Sequence, residues 1–257
     1  MRVNASASVR TALVRIGAGP ISDALGKTGA MNHAMRPRSA NPRMAGPAFT
    51  VRVHTADILM VSKALSECPR GSVLVIDGRG ELNTALWGGL TTAAAFRKGL
   101  AGVVVDGAIR DSAEIARSRL PVFACAVVAN AGGAEYSGEL RIPVQCGGVV
   151  VNPGDWLVGD EDGVVAIPAA KVDEAIETAR KILDAETRIA RAIRAGSDLG
   201  EILRCDEVLR QKREEIFVPQ LRATLNRDSA AEPSATSLTD GNTSGAGAPP
   251  KAGRKKR

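Results

Sequence analysis

The stretch GVVVDGAIRDS, residues 102–112, decides how this chain folds. Its β-branched residues predict a buried strand over Gly102–Asp106. Asp111 or Ser112 is then expected to cap a helix over Ser112–Arg119. A buried strand followed directly by a helix is typical of a parallel α/β sheet, in which ligands gather at the carboxyl ends of the strands.

The same alternation extends outward through the middle of the chain. Glycine-rich turns separate short β-branched runs, and helical periodicity fills the segments between the early runs. Strands are predicted at Ala48–Val53, Ser72–Asp77, Gly102–Asp106, Val122–Ala126, Val144–Val151, Trp156–Gly159 and Val164–Ile167, and helices at Ile58–Cys68, Leu90–Gly99 and Ser112–Arg119. The early strands therefore predict parallel pairing, and the later ones, which follow each other without helices, predict antiparallel pairing. We expect one mixed α/β domain.

The C-terminal part predicts helices followed by a tail. Apolar residues recur with helical spacing from Ala169 to Ala195. Ser197 or Asp198 is expected to cap a second helix from Leu199 to about Phe217. The last residues are rich in Ser, Ala, Gly, Pro and Thr, a composition that cannot bury enough apolar surface to fold. We therefore predict a domain over residues 1–195, a helical extension over 196–227 and a disordered basic tail over 228–257.

Composition restricts the partners that the sequence predicts. Hydrophobic residues make up 44% of the 257 positions, which allows a sizeable core, but aromatic residues make up only 3%. So few rings argue against a stacking platform for single-stranded nucleic acid. The formal charge of +6 divides evenly, because residues 227–257 carry six basic and three acidic side chains and residues 1–226 carry the other +3. A nearly neutral body gives no reason to expect a nucleic-acid partner.

Cysteine and histidine usage indicates the compartment. The four cysteines form no CxxC pair and the chain has two histidines, which argues against a Cys/His zinc site and favours reduced thiols. No apolar run approaches the roughly 20 residues that cross a bilayer. The first residues lack the continuous apolar segment of a secretory signal. The sequence therefore predicts a soluble, cytoplasmic protein with no membrane partner.

Gly88 and Gly89 form the first junction that could carry chemistry. They end an extended stretch, and a good helix-forming segment follows. Backbone N–H groups at a helix start have no partner within the helix, and glycines leave them unobstructed. The junction is therefore a candidate anion cradle. Paired glycines equally permit a tight turn that binds nothing.

Arg110 and Asp111 form the second junction. The planar guanidinium of Arg110 suits a carboxylate or an enolate, and the carboxylate of Asp111 is a hard oxygen ligand that suits Mg²⁺. In the alternative, Asp111 caps the following helix and Arg110 is a surface ion-pair partner. The local pattern leaves both alternatives open.

Six motifs, in order, resemble the family that joins 4-hydroxy-4-methyl-2-oxoglutarate aldolases with the regulator of ribonuclease activity A. They are ISDAL (21–25), AGPAFTV (45–51), PRGSVLVID (69–77), ALWGGL (85–90), GVVVDGAIRD (102–111) and VVVNPGDWLVGDEDGVVAIP (149–168). The resemblance implies a β/β/α swivelling-type fold. It also implies a homotrimer, or a homohexamer of two trimers.

The resemblance also implies an activity and its residues. In the aldolase branch, Arg110 would bind the pyruvyl portion of a small 2-keto acid, and Asp111 would anchor Mg²⁺ or Mn²⁺. Backbone amides would hold the pyruvyl carboxylate, and these belong to Gly88, Gly89, Leu90 and Thr91. The implied reaction is metal-dependent cleavage of a C–C bond to give pyruvate, from 4-hydroxy-4-methyl-2-oxoglutarate, oxaloacetate or both. The family commonly has an acidic residue where this chain has Gly89.

Other functions compete with this one. Lys63, within the helix Ile58–Cys68, would serve a class I aldolase if it were buried and formed a Schiff base. Glycine at position 89 keeps open a non-catalytic partner-binding protein that resembles the ribonuclease regulator, although a pure binder has no chemical need for the retained Arg110 and Asp111. A methyltransferase has no support, because no strand–GxGxG–helix motif appears near the N-terminus. The general base is unassigned. The acidic turn Asp160–Asp162 is a candidate, but its composition is more typical of a turn that faces solvent.

Overall fold

The computed structural model describes residues 2–213 and 215, with the side chains from residue 7 onward. Residue contacts group the chain into one unit over Met1–Arg194 and a second over Ala195–Arg257. The helices are α1 (Arg2–Ile16), α2 (Ala18–Ala24), α3 (Leu59–Glu67), α4 (Gly89–Lys98), α5 (Ser112–Arg117), α6 (Val172–Arg194) and α7 (Leu199–Ile202), with a 3₁₀ turn at Ala169–Lys171. The strands are β1 (Arg36–Pro37), β2 (Met44–Arg52), β3 (Val73–Trp87), β4 (Gly102–Ile109), β5 (Val122–Val127), β6 (Glu139–Leu140), β7 (Val144–Cys146), β8 (Val149–Val151), β9 (Trp156–Asp160) and β10 (Gly163–Ile167).

The main sheet is mixed, as the sequence predicts. Its strand order is β1-β5-β4-β3-β2-β9-β10, and β6 pairs with β2 as well. Strands β2, β3, β4 and β5 are parallel neighbours, and helices α3, α4 and α5 connect them in turn. The β9–β10 pair and the separate β7–β8 pair are antiparallel. The predicted change from parallel to antiparallel pairing along the chain is therefore confirmed.

The two central strands are longer than predicted. β4 continues to Ile109 instead of ending at Asp106, and β3 continues to Trp87 instead of ending at Asp77. Their backbones stay paired, with register shifts, because two glycines admit close contact. A Cβ at Gly78 would lie 2.6 Å from the Asp106 carbonyl oxygen, and one at Gly107 would lie 3.0 Å from that of Glu81. Trp87 and Ile109 consequently pair side by side. The residues that follow them, Gly88 and Arg110, therefore lie next to each other.

Three apolar clusters hold the first unit together. One lies between the parallel strands and α3, α4 and α5, and a second lies between the sheet and the β7–β8 pair. The third joins α1, α2 and the first half of α6 to β9 and β10. The sequence pattern predicts no helix before Ile58, so α1 and α2 are additions to the predicted fold.

The second unit begins with α7. The Asp198 carboxylate accepts a hydrogen bond from the Glu201 N–H at 3.1 Å, which confirms it as the cap. The helix predicted from Leu199 onward is interrupted by a turn at 203–204, and residues 205–213 are again helical. The predicted end near Phe217 and the predicted tail over 228–257 lie outside the described residues. Among the described residues, no helix has the length and apolar character needed to span a membrane.

Candidate active site

The Gly88 turn connects β3 to α4 and is fixed by hydrogen bonds on both sides. The Gly88 N–H donates to the Thr91 hydroxyl at 3.0 Å. The indole N–H of Trp87 donates to the Thr92 hydroxyl at 2.7 Å, and that hydroxyl donates to the Gly88 carbonyl at 2.8 Å. Helix α4 starts at Gly89, so the N–H groups of its first turn point out of the helix without intrahelical partners.

Arg110 and Asp111 follow directly from the end of β4. The Arg110 N–H donates to the Trp87 carbonyl at 2.9 Å, which fixes this junction beside the Gly88 turn. Asp111 has left-handed backbone angles, with φ 57°, and no side-chain hydrogen bond to its own helix α5. Its carboxylate instead accepts the Gly89 N–H at 2.9 Å. The alternative in which the Asp111 side chain caps α5 is therefore wrong, although the residue does occupy the N-cap position.

One cavity of about 270 Å³ brings the six predicted site residues together. Its lining includes Gly88, Gly89, Leu90, Thr91, Arg110 and Asp111, together with residues from β3 and from the start of α3. The Arg110 Nε lies 3.7 Å from the Asp111 carboxylate. A Cβ at Gly88 would lie 2.7 Å from the same carboxylate, so a larger residue there would have to displace the Asp111 side chain.

The electrostatics of this cavity favour a small anion. A guanidinium and the start of a helix contribute positive charge, against the single carboxylate of Asp111. The side chains of Arg110 and Asp111 are 45% and 41% exposed, so a ligand reaches both from solvent. No group of three or more His, Cys, Asp or Glu side chains suited to a metal occurs within the described part of the chain. Asp111 is thus the single carboxylate in the lining that could hold a cation.

Comparison with known proteins identifies the family. A family model described as RraA-like, Aldolase/RraA, matches residues 19–166. The chain belongs to this family. A relative named 4-hydroxy-4-methyl-2-oxoglutarate aldolase, from Thermus thermophilus, is 42% identical over 126 residues, which are 49% of this chain and 76% of the relative.

Solved structures that are similar to this chain carry different names. The RNA-processing inhibitor RraA from Thermus thermophilus is 38% identical, with a TM-score of 0.54 over 57% of this chain and 89% of its own. A protein from Geobacillus kaustophilus named S-adenosylmethionine:2-dimethylmenaquinone methyltransferase is 34% identical, with a TM-score of 0.52 over 54% of this chain and 86% of its own. The proteins similar to this chain are named as an aldolase, an RNA-processing inhibitor and a methyltransferase. Their names therefore do not decide the function, which has to be argued from the site.

Two other predicted candidates lie away from the cavity of this RraA-like chain. The Asp160 carboxylate is buried and accepts the Ala18 N–H at 2.7 Å, so it holds α2 against the sheet. Glu161 forms an exposed ion pair with Arg43 at 3.5 Å. Lys63 is 58% exposed, and its ammonium lies 3.0 Å from the Glu67 carboxylate. The structure therefore gives Lys63 none of the burial that a Schiff-base lysine requires.

One acidic residue beside the site was not predicted from the sequence. Glu114, in the first turn of α5, places its carboxylate against Gly89, where a Cβ would clash with Oε2. Gly89 and Glu114 lie on different helices with a strand between them, and no periodicity links the two positions. The signal in the sequence was the spacing from Asp111, because Glu114 lies one helical turn after it and therefore faces the same way.

Proposed function

We propose that this protein is a divalent-metal-dependent lyase that cleaves a C–C bond of a small 2-keto acid to give pyruvate. The substrates we propose are 4-hydroxy-4-methyl-2-oxoglutarate, oxaloacetate or both. The observation that carries the proposal is the single cavity in which Arg110, Asp111 and the first turn of α4 meet. The aldolase name of a relative that is 42% identical supports the same reaction class.

The residues of the cavity suit each part of such a substrate. The free N–H groups of Leu90 and Thr91 would bind the carboxylate next to the keto group. The guanidinium of Arg110 would contact the keto oxygen and stabilise the negative charge that develops there as the C–C bond breaks. The same pyruvate enolate forms by retro-aldol cleavage or by loss of CO₂ from oxaloacetate. One site therefore suits both reactions.

A divalent cation fits the donor set around Asp111. One carboxylate oxygen of Asp111 is occupied by the Gly89 N–H, and the other is available. Mg²⁺ typically keeps several waters and takes only one or two carboxylates from the protein, so a single aspartate is sufficient. Such an ion would supply Lewis-acid polarisation of the keto group. Asp111 would hold it beside Arg110.

The proposal includes the trimer or hexamer that the family resemblance implies. Leu90, at the rim of the cavity, is 86% exposed, which is unusual for a leucine beside a binding site. A neighbouring copy that covered Leu90 would close the cavity. A non-catalytic partner-binding protein is the competing function, and the solved RraA relative named as an RNA-processing inhibitor favours it.

Pyruvate release tests the proposed function. The purified protein is incubated with each substrate and Mg²⁺, Mn²⁺ or EDTA, and pyruvate formed above the rate with the metal ion alone is measured. We expect metal-dependent release, and a loss of at least about 100-fold in kcat/KM for Arg110→Ala and for Asp111→Ala, because each removes stabilisation of the developing charge.

Matched exposed residues serve as controls. Arg191→Ala and Asp184→Ala, both on α6, should retain the activity of the parent protein. If neither substrate gives metal-dependent pyruvate, or if the Arg110 and Asp111 variants match the parent, the lyase proposal fails and the partner-binding alternative gains support.

A further inference from the structure

The carboxylates of Asp111 and Glu114 both contact Gly89 from outside its own helix. Asp111 accepts the Gly89 N–H at 2.9 Å. Glu114 fills the space in which a side chain at position 89 would begin, with both carboxylate oxygens within 2.9 Å of the Cβ position. Any side chain at position 89 would displace Glu114, so glycine here leaves room for a carboxylate that comes from α5.

Glu114 faces the same space as the proposed catalytic pair. A cavity of about 680 Å³ is lined by Arg110, Asp111 and Glu114 together, and a cavity of about 410 Å³ is lined by Gly89 and Glu114. The charged side chains that line these cavities and the site cavity are three arginines and two carboxylates. Arginine stays protonated in proteins and cannot accept a proton. Asp111 already accepts a hydrogen bond and is the proposed cation ligand.

The carboxylate of Glu114 is uncommitted. Among the described residues, no ion pair and no side-chain hydrogen bond engages it, whereas Asp111 is held by Gly89 and lies near Arg110. A general base has to come within hydrogen-bond reach of the proton that it accepts, and a carboxylate that no other side chain holds is free to turn toward the substrate. Of the two carboxylates that line these neighbouring cavities, Glu114 is the one without such an interaction.

We propose that Glu114 is the proton-transferring residue of the lyase, an inference that rests on the proposed function. In cleavage of the 4-hydroxy substrate, Glu114 accepts the proton of the C4 hydroxyl group. The O–H electron pair becomes the new C=O bond, and the C3–C4 pair moves into the pyruvate enolate beside Arg110. The protonated Glu114 then returns the proton to C3, which becomes the methyl group of pyruvate.

Three measurements on Glu114→Gln test this role. Glutamine keeps the size of the side chain and cannot accept the proton. We expect kcat for pyruvate release to fall at least about 100-fold, the usual contribution of general acid–base catalysis. Exchange of the pyruvate methyl protons with D₂O, followed by NMR, should fall to a similar extent. Mn²⁺ affinity, measured by electron paramagnetic resonance, should stay within about twofold of the parent, because Asp111 holds the ion.

A second variant keeps the test independent of a folding defect. Gly89→Asp in the Glu114→Ala background, where no long side chain occupies the space beside position 89, supplies a carboxylate from the other side of the same space. It should recover at least tenfold of the lost rate. Glu186→Gln, at an exposed position of α6, is the matched control and should behave as the parent protein.

The outcomes separate the two proposals. If the parent protein releases pyruvate and Glu114→Gln matches it in both rate and methyl exchange, the role of Glu114 is overturned while the lyase function stands. A parallel fall in Mn²⁺ affinity and rate would also overturn it, because Glu114 would then be a metal ligand. If the parent protein binds Mn²⁺ but shows neither release nor exchange, the lyase function itself fails, and the role of Glu114 fails with it.

Discussion

Asp106 is a carboxyl group inside the sheet, on the same strand that delivers Arg110 to the site. It is 7% exposed, and the Cys125 thiol donates to it at 3.6 Å. Burial raises the pKa of Asp106, and the nearby charge of Asp77 raises it further, against the lowering effect of hydrogen bonds from Cys125 and Gly147. Burial and the charge of Asp106 together raise the pKa of Cys125 to about 11. Folding therefore shifts both groups toward their neutral forms relative to the unfolded chain.

The raised pKa of Asp106 predicts that this residue lowers the stability of the folded protein by an amount that depends on pH. A carboxyl group with a higher pKa in the folded state binds protons more tightly there, so stability falls as pH rises from the unfolded pKa through the folded pKa. Asp106→Asn, which has no charge, should gain stability relative to the parent as pH rises from about 4 to 8. Thermal unfolding of both proteins across this range measures the difference.

The matched control is Asp184→Asn, at an exposed position of α6. Its stability relative to the parent protein should not increase as pH rises from about 4 to 8. A constant difference between Asp106→Asn and the parent from pH 4 to pH 8 would contradict the assignment of a raised pKa to Asp106.

At the scale of elements, Asp57 ties the start of α3 to the segment that contains Glu135 and Tyr136. Its carboxylate accepts backbone N–H groups from Leu59 at 2.8 Å, Glu135 at 2.6 Å and Tyr136 at 3.1 Å. Burial acts to raise the pKa of Asp57, but these three donors and the nearby His54 outweigh it, so the pKa is lowered. The ionised carboxylate therefore stabilises this junction.

Asp57→Ala is expected to lower the free energy of unfolding by about 3 kcal/mol at pH 7, because it leaves buried N–H groups without acceptors. A group with a lowered folded pKa stabilises above its unfolded pKa, and that contribution is lost as pH falls through the folded pKa. The difference from the parent should therefore narrow below about pH 4. Urea unfolding at pH 7 and at pH 3.5 measures it.

Asp23→Ala, at an exposed position of α2, is the control for this prediction and should change stability by less than about 0.5 kcal/mol. A loss in Asp57→Ala that stayed constant down to pH 3.5 would point to lost packing instead of lost charge.

Local sequence patterns predicted those strands and helices whose own residues show a clear periodicity or a clear start. The β–α alternation around residues 102–112 indicated the parallel strands, and Gly88-Gly89 marked the start of α4. The predicted ends of β3 and β4 were wrong because the polar segment after Asp77 resembles a turn. It stays within the strand, although Arg79 and Gly80 have left-handed backbone angles, because Gly78 allows close backbone contact with Asp106, which is distant in the sequence. Glu114 was missed for the same reason, since its neighbour Gly89 belongs to α4, a whole strand earlier in the chain.

At the scale of the whole molecule, the N-terminal helices owe their place to distant partners. Leu13 is fully buried in the cluster formed with β9, β10 and α6, elements that begin only at Trp156. Arg10 donates hydrogen bonds to the carbonyls of Ala45 at 3.0 Å and Gly71 at 2.6 Å, so α1 is joined to the sheet as well. A weakly amphipathic sequence folds as a helix here because tertiary packing overrides its own pattern.

These contacts predict that α1 unfolds together with the sheet. Leu13→Ala removes a fully buried side chain, so we expect a loss of about 3 kcal/mol in the free energy of unfolding. For a unit of this size, that loss lowers the Tm by roughly 10 °C. Calorimetry should show one transition, shifted as a whole. Thr11→Ala, on the exposed side of α1, should leave the Tm nearly unchanged. A main transition that stays at the parent temperature in Leu13→Ala would show instead that α1 is an appendage whose packing does not stabilise the sheet that carries the site.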